Sequence, residues 1–152
     1  MREPLRRVAA AAFLAALTVG LPACGGGGGS SSSPSTLPPA PVRRQVAAFN
    51  FVTASTIDIG RGEFTTTATG TLDATCDWTF AFNDLDIGIY KGSCSFSQFL
   101  GGQCPILVES TSTTAKPEKV SAANAPAGTY TLIIANIGST AEAGTCQVFL
   151  TN

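Results

Sequence analysis

The clearest pattern in the chain is a strict alternation of apolar and polar side chains over residues 71–82. Successive side chains of a β-strand point to opposite faces, so a period of two over twelve residues predicts one long strand with a buried face and a solvated face. A sheet with one solvated face is typical of antiparallel β-structure. The apolar members of the alternation are Leu72, Ala74, Cys76, Trp78, Phe80 and Phe82.

Shorter segments along the rest of the chain have the same period and are separated by Gly, Pro and Asn. Outside the N-terminal leader, no window has the 3.6-residue period of an amphipathic helix. Seven or eight short strands in about 110 residues predict an all-β domain, a two-sheet antiparallel β-sandwich of jelly-roll-like form. The further strands are expected at 46–52, 64–68, 85–90, 106–108, 120–125, 129–135 and 146–150.

The N-terminal 23 residues have the organisation of a secretory signal peptide. Three arginines precede an apolar stretch over residues 8–21, which is shorter than the roughly 20 apolar residues that a membrane-spanning helix needs. The sequence Leu21-Pro22-Ala23-Cys24 at its end resembles the lipobox of bacterial lipoproteins. This resemblance implies cleavage before Cys24 and a lipid on that cysteine. Lipoboxes usually have Ala or Ser in place of Pro22, so an ordinary signal peptide without a lipid is the alternative.

Residues 24–41 contain five consecutive glycines, then serines and prolines, and have no apolar periodicity. Such a segment cannot bury enough apolar surface to fold, which predicts a flexible linker with a reach of roughly 20–25 Å. The β-sandwich domain is then expected at 42–152. The lipoprotein resemblance implies an exported protein, lipid-anchored in the bacterial cell envelope. Gly25 replaces the Asp that retains many lipoproteins in the inner membrane, which implies the outer membrane where the host has one.

The chain has five cysteines, and four remain for disulfides if Cys24 carries a lipid. Cys76 and Cys146 share the apolar face of their predicted strands, so both are expected in the core. Cys94 and Cys104 bracket nine residues between two strands. Of the three pairings of four cysteines, this placement predicts Cys76–Cys146 and Cys94–Cys104.

Charge and composition exclude several classes of function. The leader removes three of the 9 basic residues and one of the 10 acidic residues, so the formal charge from residue 24 onward is −3. That balance argues against a nucleic-acid partner, because nucleic-acid-binding domains present basic surfaces. The chain has no histidine, which removes Ser-His and Cys-His nucleophilic sites and metals held by histidine.

Four segments of the domain resemble the bacterial pre-peptidase C-terminal (PPC) domain, a small β-sandwich found on exported proteins. They are a strand ending in Trp78, the sequence DLDIGIY at 84–90, the sequence AGTYTL at 127–132, and a closing strand at 146–151. The resemblance covers most of residues 44–152. It implies a non-catalytic module for binding or scaffolding, and some members of the family bind calcium.

A calcium site is the first candidate for chemistry. Asn83, Asp84 and Asp86 place three oxygen-bearing side chains within four residues at the start of a strand, and calcium prefers six to eight oxygen ligands. Asp77 or Asp73 would supply further ligands. The alternative is that Asn83 and Asp84 form a turn, while Asp86 is an exposed strand residue.

An aromatic ligand platform is the second candidate. The strand pattern does not assign Tyr90, Phe96 and Phe99 to the core, so they are candidates for a flat surface that binds a sugar or a partner protein. The alternative is that these rings pack over the end of the sandwich.

Together, these features predict a membrane-anchored envelope lipoprotein with a non-catalytic PPC-like β-sandwich and an unknown protein or polysaccharide partner. No residue is assigned a catalytic role, and calcium is the one cofactor considered. A carbohydrate- or calcium-dependent adhesion module is the first alternative. A small hydrolase using paired carboxylates is the second, but no feature of the sequence places two carboxylates across a cleft.

Overall fold

The computed structural model describes residues 39–55, 58–112 and 115–152. The predicted signal peptide, Cys24 and most of the predicted linker lie outside the described residues. The elements are β1 (Arg43–Thr53), β2 (Asp58–Thr66), β3 (Gly70–Trp78), β4 (Leu85–Lys91), α1 (Phe96–Leu100), β5 (Ile106–Ser110), β6 (Glu118–Ala125), β7 (Gly128–Asn136) and β8 (Glu142–Thr151). Among the described residues, no helix is long and apolar enough to cross a membrane.

The strands form two antiparallel four-stranded sheets, which we call sheet A (order β1-β8-β3-β6) and sheet B (order β2-β7-β4-β5). The strand pairs are nested along the chain: β1 pairs with β8, β2 with β7, β3 with β6 and β4 with β5. This nesting is a long hairpin rolled into two layers, and the pairs β3–β8 and β4–β7 complete each sheet. The predicted jelly-roll-like sandwich of seven or eight strands is therefore confirmed, and the number of strands is eight.

The core lies between the two sheets and is built by the alternation seen in the sequence. In β3, the side chains on the apolar parity are buried and pack against inward-facing residues of sheet B such as Ile87, Leu132 and Ile134. Burying this apolar area is the main favourable free-energy contribution to the fold. The β3 residues in the core are Leu72, Ala74, Cys76 and Trp78.

Strand β3 ends at Trp78, so the prediction that it continues to residue 82 is wrong. The backbone N–H groups of Thr79 and Phe80 donate to the buried Glu142 carboxylate at 3.0 and 3.2 Å, which takes the chain out of the sheet. Phe80 and Phe82 were expected to face the core. They are instead 42% and 77% exposed, and their rings stack with centroids 5.5 Å apart.

Both predicted disulfides are present with the expected pairing. Cys76 and Cys146 are directly opposite each other on β3 and β8, with Cα atoms 4.1 Å apart. Cys94 and Cys104 have Cα atoms 5.7 Å apart and close the segment between β4 and β5. All four cysteines are buried.

The segment between Cys94 and Cys104 contains the short helix α1, where the sequence indicated only a loop. The helix begins with a capping box: the Ser95 hydroxyl accepts from the Gln98 N–H, and the Gln98 side chain accepts from the Ser95 N–H. This arrangement satisfies N–H groups that the first turn leaves without helical partners. Five residues are too few for the periodicity of apolar positions to reveal a helix.

Candidate functional site

The outer face of sheet B is apolar at its centre. Ile133 on β7 points away from the main core, yet it is only 1% exposed. Ala135 and Ile59 lie beside it on the same face, on β7 and β2, and they are paired across the two strands. The outer face of an antiparallel sheet normally meets water and is polar. The burial of Ile133 therefore means that another part of the chain covers this face.

The cover is the segment between β4 and β5, closed by the Cys94–Cys104 disulfide and carrying α1. It is fixed to β7 by Thr131, whose hydroxyl donates to the Gly92 carbonyl at 2.8 Å and accepts from the Cys94 N–H at 3.0 Å. It is fixed to β2 by Arg61, whose guanidinium donates to the Cys94 carbonyl at 3.2 Å. Hydrogen bonds to two different strands hold the cover in one position over sheet B.

Two aromatic rings form the contact between this cover and sheet B. Phe99 of α1 packs edge-to-face on Tyr90 of β4, with ring centroids 5.7 Å apart and an interplanar angle of 86°. The Tyr90 hydroxyl donates a hydrogen bond to the Glu109 carboxylate on β5. A Cβ added at Gly88 would lie 2.9 Å from Cε2 of Tyr90, so the glycine leaves the space that this ring occupies.

A groove of about 170 Å³ remains between the cover and the open end of sheet B. Its floor is the apolar surface of Ile59, Ile133 and Ala135, and its aromatic wall is formed by Phe99 and Tyr90. Three carboxylates on three different strands line its edge: Asp58 on β2, Asp86 on β4 and Glu109 on β5. We call this site the sheet-B groove.

The carboxylates of the sheet-B groove differ in their surroundings. Asp58 accepts hydrogen bonds from the N–H groups of Ala54 at 2.7 Å and Ile59 at 2.9 Å. No described residue donates a hydrogen bond to the Asp86 side chain. Burial, as the largest cause, and the negative charges of nearby carboxylates together raise the pKa of Asp86 to about 6. These carboxylates are Asp84, Glu118 and Glu109.

Tyr90 is held neutral by its position. Burial and the neighbouring Glu109 carboxylate raise the pKa of the Tyr90 hydroxyl well above its usual range. Among the described residues that line the groove, none is basic. The sheet-B groove is therefore an apolar channel with an acidic edge.

The structure separates the residues of the predicted calcium site. Asn83 is only 5% exposed, and its amide donates to the Asn136 side chain at 3.2 Å and the Thr140 carbonyl at 2.9 Å. It therefore links the β3–β4 and β7–β8 loops. The Asp84 carbonyl accepts from two N–H groups of the β7–β8 loop, and Asp86 lines the groove.

The additional ligands considered for calcium, Asp73 and Asp77, lie on β3 in sheet A, where they contact Ser121 and Lys116. They belong to the sheet opposite the one that carries Asp86. Within residues 39–55, 58–112 and 115–152, no group of three or more acidic or cysteine side chains is placed to hold a metal ion. Calcium binding stays a prediction.

The three aromatic residues of the proposed platform occupy different environments. Tyr90 is 4% exposed and Phe99 is half-buried, and they pack together under the cover. Phe96 on α1 is 46% exposed and is the member of the three that faces solvent. The structure thus brings together Tyr90 and Phe99 as a wall of the groove, and leaves Phe96 outside it.

Sequence reasoning did not single out Ile133, Asp58 or Glu109 as site residues. One local signal was present: Leu132, Ile133 and Ile134 form an uninterrupted apolar run inside β7. A strand with one buried and one solvated face would have a polar residue at position 133. An apolar run is typical of a strand that is buried on both faces.

Comparisons with known proteins support the fold. No family model matches the chain, and no curated protein sequence matches it. The chain is similar to the crystal structure of the Yersinia pseudotuberculosis-derived mitogen, with a TM-score of 0.51 and 12% sequence identity. The match covers 73% of this chain and 87% of that chain. At this identity the similarity concerns the β-sandwich fold alone.

Proposed function

We propose that this chain is a lipid-anchored protein of the bacterial cell envelope that presents a non-catalytic, PPC-like jelly-roll domain for binding. The observation that carries the binding function is the sheet-B groove, an apolar channel with an acidic edge. The lipobox-like sequence ending in Cys24 supports the anchor.

The two disulfides support an extracytoplasmic location. Disulfides form and persist in oxidising compartments outside the cytoplasm. All four cysteines of the described domain are paired, which leaves Cys24 available for a lipid.

The place where the linker joins the domain is compatible with a groove that stays accessible to a ligand. Val42 pairs with Asn152 through two backbone hydrogen bonds, at the end of the sandwich where β1 begins. Asp58 and Ile137 line the groove near the opposite end, where β1 and β7 finish. A domain tethered through residue 42 therefore holds the acidic end of the groove away from its attachment point.

The anchor is tested by labelling growing cells with an alkyne analogue of palmitate and isolating the protein. We expect the parent chain to carry the label and to fractionate with membranes, and the Cys24→Ser variant to lose both properties. Gly25→Asp is the matched control, because it should keep the label while redirecting the protein to the inner membrane of a two-membrane host. An unlabelled parent chain would refute the lipid anchor.

A calcium-dependent adhesion module is the second candidate, and it rests on the sequence, in which the carboxylates Asp84 and Asp86 are two positions apart. Thermal unfolding in EDTA and in millimolar calcium tests it. Binding to the folded state at 100 times the dissociation constant stabilises by about 2.7 kcal/mol. Absence of a calcium-dependent shift, or a shift that survives in Asp84→Ala, would remove this candidate.

A further inference from the structure

We propose that the sheet-B groove binds a small aliphatic ammonium ion, with the ammonium group at Asp86 and Glu109 and the carbon chain on the apolar floor. This inference deepens the proposed binding function and rests on it. The chemical class of the ligand follows from one juxtaposition: a short apolar channel ends at carboxylates, and no basic residue is among the described residues that line it.

The size and lining of the groove determine the body of the ligand. A volume of about 170 Å³ is below the roughly 300–1,000 Å³ of pockets for drug-sized molecules, so the occupant is small. The floor offers the apolar side chains of Ile59, Ile133 and Ala135, and the lining also includes the hydroxyl-bearing residues Ser110 and Thr111. A short hydrocarbon chain would bury apolar surface on this floor without leaving a polar group unpaired.

The charge of the groove determines the head group. Asp86 receives no hydrogen bond from the described residues, and Glu109 receives one from Tyr90. An ammonium group offers three donors together with the charge opposite to that of these carboxylates. No basic residue of the described chain lines the groove to take that place. Charge complementarity therefore favours a cation over an anionic or neutral ligand.

Other occupants fit the geometry less well. A sugar needs an exposed aromatic face for stacking, and Tyr90 is only 4% exposed with its hydroxyl already bonded to Glu109. A metal ion needs several convergent ligands, and the described residues provide no such group.

The test is a two-dimensional amide NMR titration of the full-length, oxidised chain, purified in detergent from its membrane, with three ligands of equal carbon length. The ligands are n-butylammonium, 1-butanol and butyrate. We expect n-butylammonium to cause saturable shifts of the Gly88, Ile133 and Ala135 amides, with a dissociation constant on the order of 1 mM. We expect at least tenfold weaker binding of butanol and no binding of butyrate.

Two isosteric variants test which carboxylate binds the ammonium group. Asp86→Asn should weaken n-butylammonium binding about tenfold, while its amide spectrum reports directly that the domain is folded. Glu63→Gln is the matched control: Glu63 is an exposed carboxylate of β2 on sheet B that does not line the groove. It should leave the affinity unchanged.

Several outcomes would overturn the inference: no saturable shifts, equal affinity for butanol, or equal weakening by Glu63→Gln. Much tighter binding of Nα-acetyl-lysine amide would also overturn it, because the occupant would then be a lysine of a partner protein. The palmitate-labelling experiment is independent of these results. A labelled chain without amine binding would leave the anchor intact and remove only the ligand.

Discussion

The two disulfides of the domain belong to different parts of the molecule. Cys76–Cys146 lies in the core and joins facing residues of β3 and β8 that are 70 positions apart in sequence. Cys94–Cys104 lies on the outer face of sheet B and joins residues only 10 positions apart. Both are buried, but the first crosslinks two strands of one sheet, whereas the second closes the cover that forms one side of the groove.

This difference separates the stability of the fold from the shape of the site. The core between the sheets contains 17 buried residues, whereas the cluster under the cover contains four: Tyr90, Cys94, Cys104 and Ile133. A perturbation of the core therefore acts on the whole sandwich. A perturbation of the small cluster is expected to open the cover while the sheets remain paired, since regions with few buried contacts open locally.

The largest effect is expected for removal of the core disulfide in the double variant Cys76→Ala/Cys146→Ala. In the chain-entropy model, a crosslink that closes a loop of this length contributes about 4 kcal/mol to the free energy of unfolding. Urea denaturation of the variant should show a loss of this size, with a single transition. A loss no greater than that of the Cys94→Ala/Cys104→Ala variant would contradict the distinction between the two regions.

Two neighbouring isoleucines of β7 provide a second comparison, because their side chains point to opposite faces of one strand. Ile134→Ala creates a cavity in the core and should cost about 3 kcal/mol. Ile133→Ala removes an equally buried side chain under the cover, where the small cluster can collapse, so we expect about 1.5 kcal/mol. Urea denaturation measures both values, and equal losses would mean that the cover is as rigid as the core.

Removal of the loop disulfide in Cys94→Ala/Cys104→Ala should cost about 2 kcal/mol or less. The chain-entropy model assigns a little under 3 kcal/mol to so short a loop, and local opening of the cover reduces the effect on global unfolding. Hydrogen exchange should be faster at the backbone amides of positions 92 and 94, which hold the cover on β7, with the strands of sheet A unchanged. Uniformly faster exchange across both sheets would show that the cover is part of the cooperative core.

The sequence predicts the fold well because apolar and polar residues alternate locally within the strands of a jelly roll. The apolar parity of β3 placed Cys76 in the core, and the parity of β8 placed Cys146 opposite it, so even the disulfide pairing followed from strand geometry. The error at the end of β3 has a non-local cause. Phe80 keeps the apolar parity, but its N–H bonds to Glu142, which is 62 positions away in sequence.

The site was harder to predict because its residues meet only through strand pairing. Asp86 was identified with its sequence neighbours Asn83 and Asp84, whereas its neighbours in the groove come from β2, β5 and β7. Pairing places Asp86 beside Ala135, and Ala135 beside Ile59, across two strand boundaries. The order of strands in a sheet cannot be read from alternation alone, which is why the groove became visible only in the folded chain.

The smallest expected effect concerns the dependence of stability on pH. Burial and, to a smaller extent, nearby carboxylates raise the pKa of Asp86 to about 6, against about 3.9 in an unfolded chain, so the folded state retains a proton that the unfolded state has lost. The Asp86 contribution to stability is therefore fully present below pH 4 and is lost as the pH rises to 6. The carboxylates of Asp84, Glu118 and Glu109 act in the same direction.

Asp86→Asn removes this titration, so the variant and the parent chain should be equally stable near pH 4. Above pH 6 the variant should be more stable, by about 1 kcal/mol once solvent screening of this half-exposed group is allowed for. Urea denaturation at pH 4, 5, 6 and 7 measures the difference, with Glu63→Gln on the same sheet as the control. Parallel curves for Asp86→Asn and the parent chain would mean that water, rather than the apolar groove, surrounds this carboxylate. The groove would then bind a cation more weakly than its carboxylates suggest.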